Sequence, residues 1–488
     1  MVCVSLTAWS HAQADVANSK LIRGSEFKSA IHVSGTQTLH GTKQPYAFHM
    51  ESDFRFRTEA TGDLPEVDGF DGKDSWHLNG SGVPHISSNS DRDLARMLAY
   101  VQAGVWACKN SPIEIVSENG NDLVIKCKDG KTTAKLTLDS TTKTAKILAT
   151  WGSSGTESWT FNKYQNHGGL LIPTEIHHVS GETDDTISIT RFNQPIAGEF
   201  GYGMPPASTQ GFTFDPKATS EIEVKRMFGY LFVKPKLDGQ DEGWWFLDTG
   251  AEIMVIDPQI ARNHNMKVVG KDSVSGVVAS VTTNFSKGVE FNLGPVTIKN
   301  STFMELDMKP FADALGIKLA GIIGYDFISR VSLDIDPKKR TIGVFPTGFN
   351  QLPQGMAWTP FVFHGNIPSL NCEYEGGRFG QFCLDTGSGS TVDFFTPAVE
   401  QNGLLKDRKV TGEMTGGAGG ASESKRGEIG YFIFGPKRFD KPKVGFQITK
   451  IGGFASPFVD GNIGMGFMSK FRMIVDYQKS RLSLLESY

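Results

Sequence analysis

No apolar run in the 488-residue sequence approaches the roughly 18 residues that a membrane-spanning helix needs, which excludes such a segment. Charge of neither sign dominates. The 49 Lys and Arg against 53 Asp and Glu leave a net charge of −4, too small and too evenly spread for a nucleic-acid binder or a polybasic membrane sensor. A basic stripe interleaved with aromatics is missing too, which argues against a single-stranded nucleic-acid partner. There is no H-E-x-x-H of a zinc peptidase, no G-x-S-x-G nucleophile elbow and no Walker loop, so neither metal nor cofactor is implied.

Cysteine is scarce, at five residues, and Cys3 falls within the first fourteen. The other four form two locally spaced pairs, Cys108 with Cys127 and Cys372 with Cys383, an even count that suits two disulfides in an exported protein. Connectivity is not given by spacing, although Cys372 and Cys383 flank the turn Glu375-Gly376-Gly377 and are placed to face each other across a hairpin.

What the sequence does contain is glycine, 55 residues, with only 21% charged residues, the balance of a turn-rich all-β protein. At roughly 100–200 residues per domain the length suits two to four domains. Residues 1–14, MVCVSLTAWSHAQA, hold no Asp, Glu, Lys or Arg, carry a short apolar stretch from Val2 to Trp9 and end in Ala12-Gln13-Ala14. They match the apolar core and A-x-A site of a secretory signal truncated of its basic n-region, and imply an exported protein, periplasmic or secreted, of a bacterial envelope.

Residues 24–197 read as a curved antiparallel β domain. Alternating runs such as Tyr46–Arg57, Leu123–Cys127, Thr133–Leu138, Ala145–Trp151, Ser158–Tyr164 and Thr186–Phe192 are separated by Gly, Asn and Asp turns. From Asp91 to Cys108 the pattern changes, with Leu94, Met97, Leu98, Val101 and Val105 at helical spacing behind an Asp cap. A sheet curved around one helix buries that stripe. With Gly69-Phe70-Asp71-Gly72-Lys73-Asp74-Ser75-Trp76 as a turn into a strand, this region resembles the half-barrel of periplasmic lipoprotein carriers, which implies lipid or lipoprotein contact. Glu175, His177, His178, Asp184 and Asp185 suggest a metal cluster. Adjacent strand histidines point to opposite faces, however, and a solvated strand end is the expected reading. Residues 198–221, rich in Gly, Pro, Ser and Thr, read as a linker without regular structure.

Beyond the linker a unit is duplicated. Gly243-Trp244-Trp245-Phe246-Leu247-Asp248-Thr249-Gly250-Ala251 recurs 137 residues on as Gly380-Gln381-Phe382-Cys383-Leu384-Asp385-Thr386-Gly387-Ser388. Each copy follows a hairpin turn, Asp238-Gly239 or Glu375-Gly376-Gly377, so each Asp-Thr-Gly ends a strand. Gly321-Ile322-Ile323-Gly324 then corresponds to Gly461-Asn462-Ile463-Gly464 at an offset of 140. Two carboxylates brought together by such a twofold can share one proton, one acting as general base toward water and the other as donor to a carbonyl oxygen. Glycine beside each lets backbone approach, and Thr hydroxyls can lock the two loops together.

Residues 222–488 therefore resemble an aspartic peptidase of the retropepsin/pepsin type, with two β-barrel lobes, 222–350 and 351–488, related by pseudo-twofold symmetry. The resemblance implies a catalytic dyad of Asp248 and Asp385, supported by Thr249, Gly250, Thr386, Gly387 and Ser388. It also implies braces at Ile323-Gly324 and Ile463-Gly464, where Asn462 departs from the usual apolar residue. Flap candidates lie in Ser275–Phe285, including Val277 and Val278, and in Thr415–Ala421, including Gly417 and Gly419. The glycine stretch can equally be read as a surface loop. Lobe one lacks the flap tyrosine of pepsins. Ser388 next to Asp385, against Ala251 next to Asp248, makes Asp385 the expected more acidic partner. The implied activity is endopeptidase cleavage of a peptide or protein substrate. An inactive peptide- or lipid-binding envelope protein of the same fold is the alternative.

Overall fold

The computed structural model describes residues 25–152, 155–180, 183–193, 201–275, 280–349, 351–417 and 420–487; the leader-like residues 1–14 lie outside them. The architecture is all-β, with few helices.

The N-terminal half is one thirteen-stranded, wholly antiparallel sheet curled into a half-barrel. The first and last of its strands in sequence, Ile31–Leu39 and Thr183–Asn193, pair at its middle. Its edges are His85–Ile86 and Ile113–Asn119. A helix, Asn89–Gln102, links those two edges and so packs against the sheet, burying Met97, Tyr100 and Val101 with Phe48, Phe56 and Leu136. It starts earlier than the periodicity suggests, because the cap is Ser88, whose Oγ accepts from Asp91 N–H at 3.1 Å, and not an Asp. It also stops earlier, where Gly104 turns left-handed at φ 70° and a 3-10 turn, Val105–Ala107, takes over. The run Tyr46–Arg57 is two strands, Thr42–Met50 and Phe56–Ala60, separated by a turn in which Phe54 has φ 70°.

The region read as a linker is fastened along its described length. Trp76 Nε1 donates to Tyr202 O at 2.8 Å, Ser208 N–H to Gly82 O at 2.7 Å, and Phe212–Phe214 pairs with Val296–Glu305 as a strand. Proline and glycine exclude a helix there, but the backbone finds partners on both flanking domains.

The C-terminal half has one sheet per repeat and a third between them. In lobe one, Asp238 and Gly239 take φ of 48° and 81°, the left-handed pair of a tight hairpin. Strand Trp244–Leu247 then runs parallel to Leu319–Ile323, in register Leu247 to Ile323. Lobe two repeats this with Arg378–Leu384 parallel to Gly461–Ile463, Leu384 opposite Ile463. The third sheet has six strands and is built from both repeats, meeting where Val331–Ile335 pairs antiparallel with Phe471–Asp476. Under the 140-residue offset Asp334 corresponds to Ile474, and those two are each other's cross-strand partners. The two repeats therefore meet at positions that correspond under that offset.

The two halves are packed together through polar ties around buried aromatics. Tyr325 Oη donates to Val83 O at 3.0 Å and lies 3.1 Å from His85 Nδ1; Ser88 N–H donates to Phe363 O at 2.8 Å; Arg330 reaches Ser81 O and Ser208 O. On another side His40 O accepts from Lys271 N–H at 2.7 Å, and the His40 ring pairs with Asp272 at 2.5 Å.

No disulfide occurs among the described residues, contrary to expectation. Register explains the second pair: Cys372 sits opposite Gly380 and Cys383 opposite Ser369, so the two thiols point to opposite faces of the hairpin and enter different core clusters. Cys108 and Cys127 are buried in the half-barrel core. Burial pushes the Cys127 and Cys372 thiols up to about 12, so both behave as small apolar residues.

Candidate active site

Each Asp-Thr-Gly follows its strand directly, and the neighbouring parallel strand fixes where the chain turns. Asp248 N–H donates to Ile323 O at 2.9 Å and Asp385 N–H to Ile463 O at 3.0 Å. The brace helices are set by the same symmetry, Tyr325 N–H donating to Ala251 O at 3.0 Å and Met465 N–H to Ser388 O at 2.8 Å. Glycine is required at both braces. A Cβ on Gly324 would lie 2.6 Å from Ala251 O, and one on Gly464 2.5 Å from Ser390 O.

The two loops are locked by a reciprocal exchange. Thr249 N–H donates to Thr386 Oγ1 at 2.9 Å and Thr386 N–H to Thr249 Oγ1 at 3.0 Å. Each hydroxyl then donates across the axis, Thr249 to Leu384 O at 2.8 Å and Thr386 to Leu247 O at 2.7 Å. Both N–H groups and both hydroxyls of the two buried threonines are thereby satisfied, and the loops are coupled.

This lock sets the carboxyl groups of Asp248 and Asp385 side by side, both against Gly250. Asp248 Oδ1 accepts from Gly250 N–H at 2.8 Å and Gly387 N–H at 3.1 Å, one donor from each repeat. Close approach is what excludes a side chain here: a Cβ on Gly387 would lie 2.3 Å from Asp248 Oδ2, and one on Gly250 2.8 Å from Asp385 Oδ1. Asp385 Oδ2 accepts instead from Asn462 Nδ2 at 2.9 Å.

An aspartyl protease model matches residues 233–327. This aspartyl-protease-like region runs from the end of strand Tyr230–Val233 through Asp248 into the short helix Tyr325–Ile328, and so contains one of the two carboxylates. The chain has no match among curated proteins.

Burial raises both acids. Asp385 is pushed up to about 7 by desolvation and then by the charge of Asp248, against the opposing pull of the Asn462 amide and, more weakly, of Gly387 N–H. Asp248 is raised by desolvation too, but the N–H groups of Gly250 and Gly387 oppose that. Fixed backbone donors thus favour the ionised form at Asp248, and the shared proton belongs on Asp385. This reverses the expected order. The Ser388 hydroxyl meant to ionise Asp385 is engaged with Ser390 Oγ at 2.9 Å.

Both flap candidates fall on hairpins. Lys267–Ser275 pairs with Ser280–Leu293 out to Ser275 and Ser280, while Val277 and Val278 lie outside the described residues. Val410–Gly417 pairs with Gly420–Glu428 out to Gly417 and Gly420, so the glycine-rich stretch is a strand pair up to its tip; Gly419 lies outside the described residues.

Three neighbours of the carboxylates have roles that the Asp-Thr-Gly motif does not reveal. Asn462 is the departure from the brace pattern. Tyr230 Oη accepts from Gly389 N–H and is raised by burial and then by the charge of Asp385, tying a lobe-one tyrosine to the lobe-two loop. Tyr477 is buried, with its Oη 3.4 Å from Thr249 O. For Asn462 the available signal is its place in the repeat, where Ile322 stands in lobe one.

Proposed function

We propose that the chain is an aspartic endopeptidase. The observation that carries this reading is the juxtaposition of Asp248 with Asp385 under the reciprocal threonine lock, with the backbone N–H groups of Gly250 and Gly387 both donating to Asp248. Asp248, ionised, takes a proton from a water lying between the pair as that water attacks the scissile carbonyl carbon. Asp385 gives its proton to the carbonyl oxygen, so the tetrahedral intermediate is a neutral diol. For collapse, Asp385 recovers a diol proton and the proton now on Asp248 passes to the leaving nitrogen, which restores the starting state. An extended peptide between the two hairpins would present its carbonyl to the pair and hydrogen-bond strand-like to the hairpin backbone.

Export is retained as part of the proposal on residues 1–14 alone, since the described cysteines lend it no support. The test is cleavage of a diverse peptide library from acid to neutral pH by the full chain and by Asp248→Asn and Asp385→Asn. Cleavage by the wild type and its loss in both variants is expected. Cleavage that survives either substitution refutes the dyad, and absence of cleavage at every pH refutes the peptidase reading.

A further inference from the structure

A cavity of about 340 Å³ opens on the concave side of the half-barrel, within the range of small-molecule sites. Its apolar lining is Leu39, Phe56, Leu98, Trp159 and Ile187. Its lining also presents five carboxylates, Glu66, Asp68, Glu157, Asp185 and Asp272, the last of them from lobe one. No Lys or Arg lines it.

Four of the five carboxylates are answered by histidine. His40 sits between Asp272 at 2.5 Å and Glu66 at 3.2 Å, His77 Nδ1 is 2.9 Å from Asp68, and His178 Nε2 is 2.9 Å from Glu157. Asp185 is the exception. It is 3% exposed, no hydrogen-bond donor among the described residues reaches its carboxylate, and the nearest positive group is His178 Nδ1, 3.9 Å away. Burial pushes it up to about 6. The pair His178 and Asp185 faces the cavity because the two are cross-strand partners; His177 is opposite Thr186 and faces the other way. Asp185 is thus no solvated strand end. A buried carboxylate that accepts no hydrogen bond and has only a histidine 3.9 Å away, in a cavity that presents five carboxylates to three histidines and no Lys or Arg, has room for one more positive charge.

We propose that this cavity binds a primary ammonium group carried on a short apolar stem, with Asp185 as its counter-ion and the Leu98–Trp159 side receiving the stem. An acyl chain with a free carboxylate is the wrong ligand, since its head would meet five acids. A metal ion is disfavoured as well: no three His, Cys, Asp or Glu converge as ligands among the described residues. The inference is independent of the peptidase reading.

The test uses the full chain, because Asp272 of lobe one completes the lining. Calorimetric titration compares n-hexylamine, Nα-acetyl-lysine amide, 1-hexanol and hexanoate, on the wild type and on Asp185→Asn, whose neutral isostere leaves no buried charge to impair folding. Hexylamine should bind, hexanol and hexanoate at least tenfold more weakly, and Asp185→Asn should weaken hexylamine about thirtyfold while leaving hexanol unchanged. Leu98→Trp, filling the cavity from the helix, should abolish binding of hexylamine. Binding of the lysine derivative as well would identify a lysine side chain as the source of the ammonium; binding of hexylamine alone would identify a free amine. The proposal is overturned if hexylamine binds no more tightly than hexanol, if Asp185→Asn binds it equally well, or if neither amine binds.

Discussion

Asn462→Ile gives lobe two the residue type that lobe one has at Ile322 and removes one hydrogen bond from Asp385. The strand Gly461–Ile463 tolerates a β-branched residue, so the change acts on the carboxylate and not on the fold. A hydrogen bond to a charged group is worth about 1.5–3 kcal/mol, and one pKa unit corresponds to about 1.4 kcal/mol. The Asn462 amide favours the ionised form, so its loss should raise the second ionisation of the pair by about one unit, the lower bound being apt because the proton is shared with Asp248. The first ionisation, governed by the donors on Asp248, should move much less. Carboxyl ¹³C titration of aspartate-labelled wild type and variant reads this without a substrate, and the basic limb of the kcat/KM profile should move in parallel. Asn462 Oδ1 has no partner in this orientation, and the opposite amide orientation would accept the Asp385 proton and stabilise the neutral form. A downward shift in the variant, or none, would therefore refute the assignment of Asn462 as a donor.

Thr249→Ala leaves Thr386 N–H and Leu384 O without partners and should cost about 2–4 kcal/mol in chemical denaturation, with Thr249→Ser recovering most of it. Gly387→Ala forces Asp248 off its position and should lower kcat on the order of a hundredfold while the far-ultraviolet circular dichroism stays unchanged. His40 is depressed by burial, yet its hydrogen bonds to Asp272 and Glu66 outweigh this and raise it from 6.5 to about 10. Its contribution to stability is therefore complete below about pH 6.5 and is lost as pH rises to about 10. Denaturation midpoints should fall across that window in the wild type and stay flatter in His40→Gln. Tyr325→Phe should loosen the two halves by about 1–2 kcal/mol, and residues 222–488 expressed alone should aggregate, since Tyr325 and Phe363 lose their cover.

The legible parts of the sequence are those in which chemistry demands a local pattern. Asp-Thr-Gly at a strand end and a hydrophobic-Gly brace recur because a twofold site needs each part twice, and alternation in residues 24–197 marks strands because one sheet face is buried. What stayed hidden depends on register and on partners distant in sequence. Cys372 and Cys383 look paired until the hairpin register turns them apart. Ser388 looks like a partner of Asp385 until Ser390 takes its hydroxyl. Asn462 reads as a flaw in a brace, and only the fold brings its amide to a carboxylate 77 residues away in the chain. Asp185 sits in a polar run that seems solvated, because nothing local reveals that a sheet curls over it.

The sheet shared by the two repeats also imposes an order in time. Val331–Ile335 has Thr341–Pro346 on one side within a few residues, but its other neighbour, Phe471–Asp476, emerges from a ribosome only about 140 residues later. At about 5–20 residues per second, lobe one waits on the order of ten seconds with an apolar strand edge open. Until then it is a template for any passing strand, including the same segment of a neighbouring nascent chain. Because Asp334 sits where the repeats meet, two copies of lobe one could pair there in the same register, less stably than lobe one with lobe two, since Asp334 would face Asp334 and lose Arg472. A nascent chain that stalls before Phe471 would thus have an off-pathway dimer open to it.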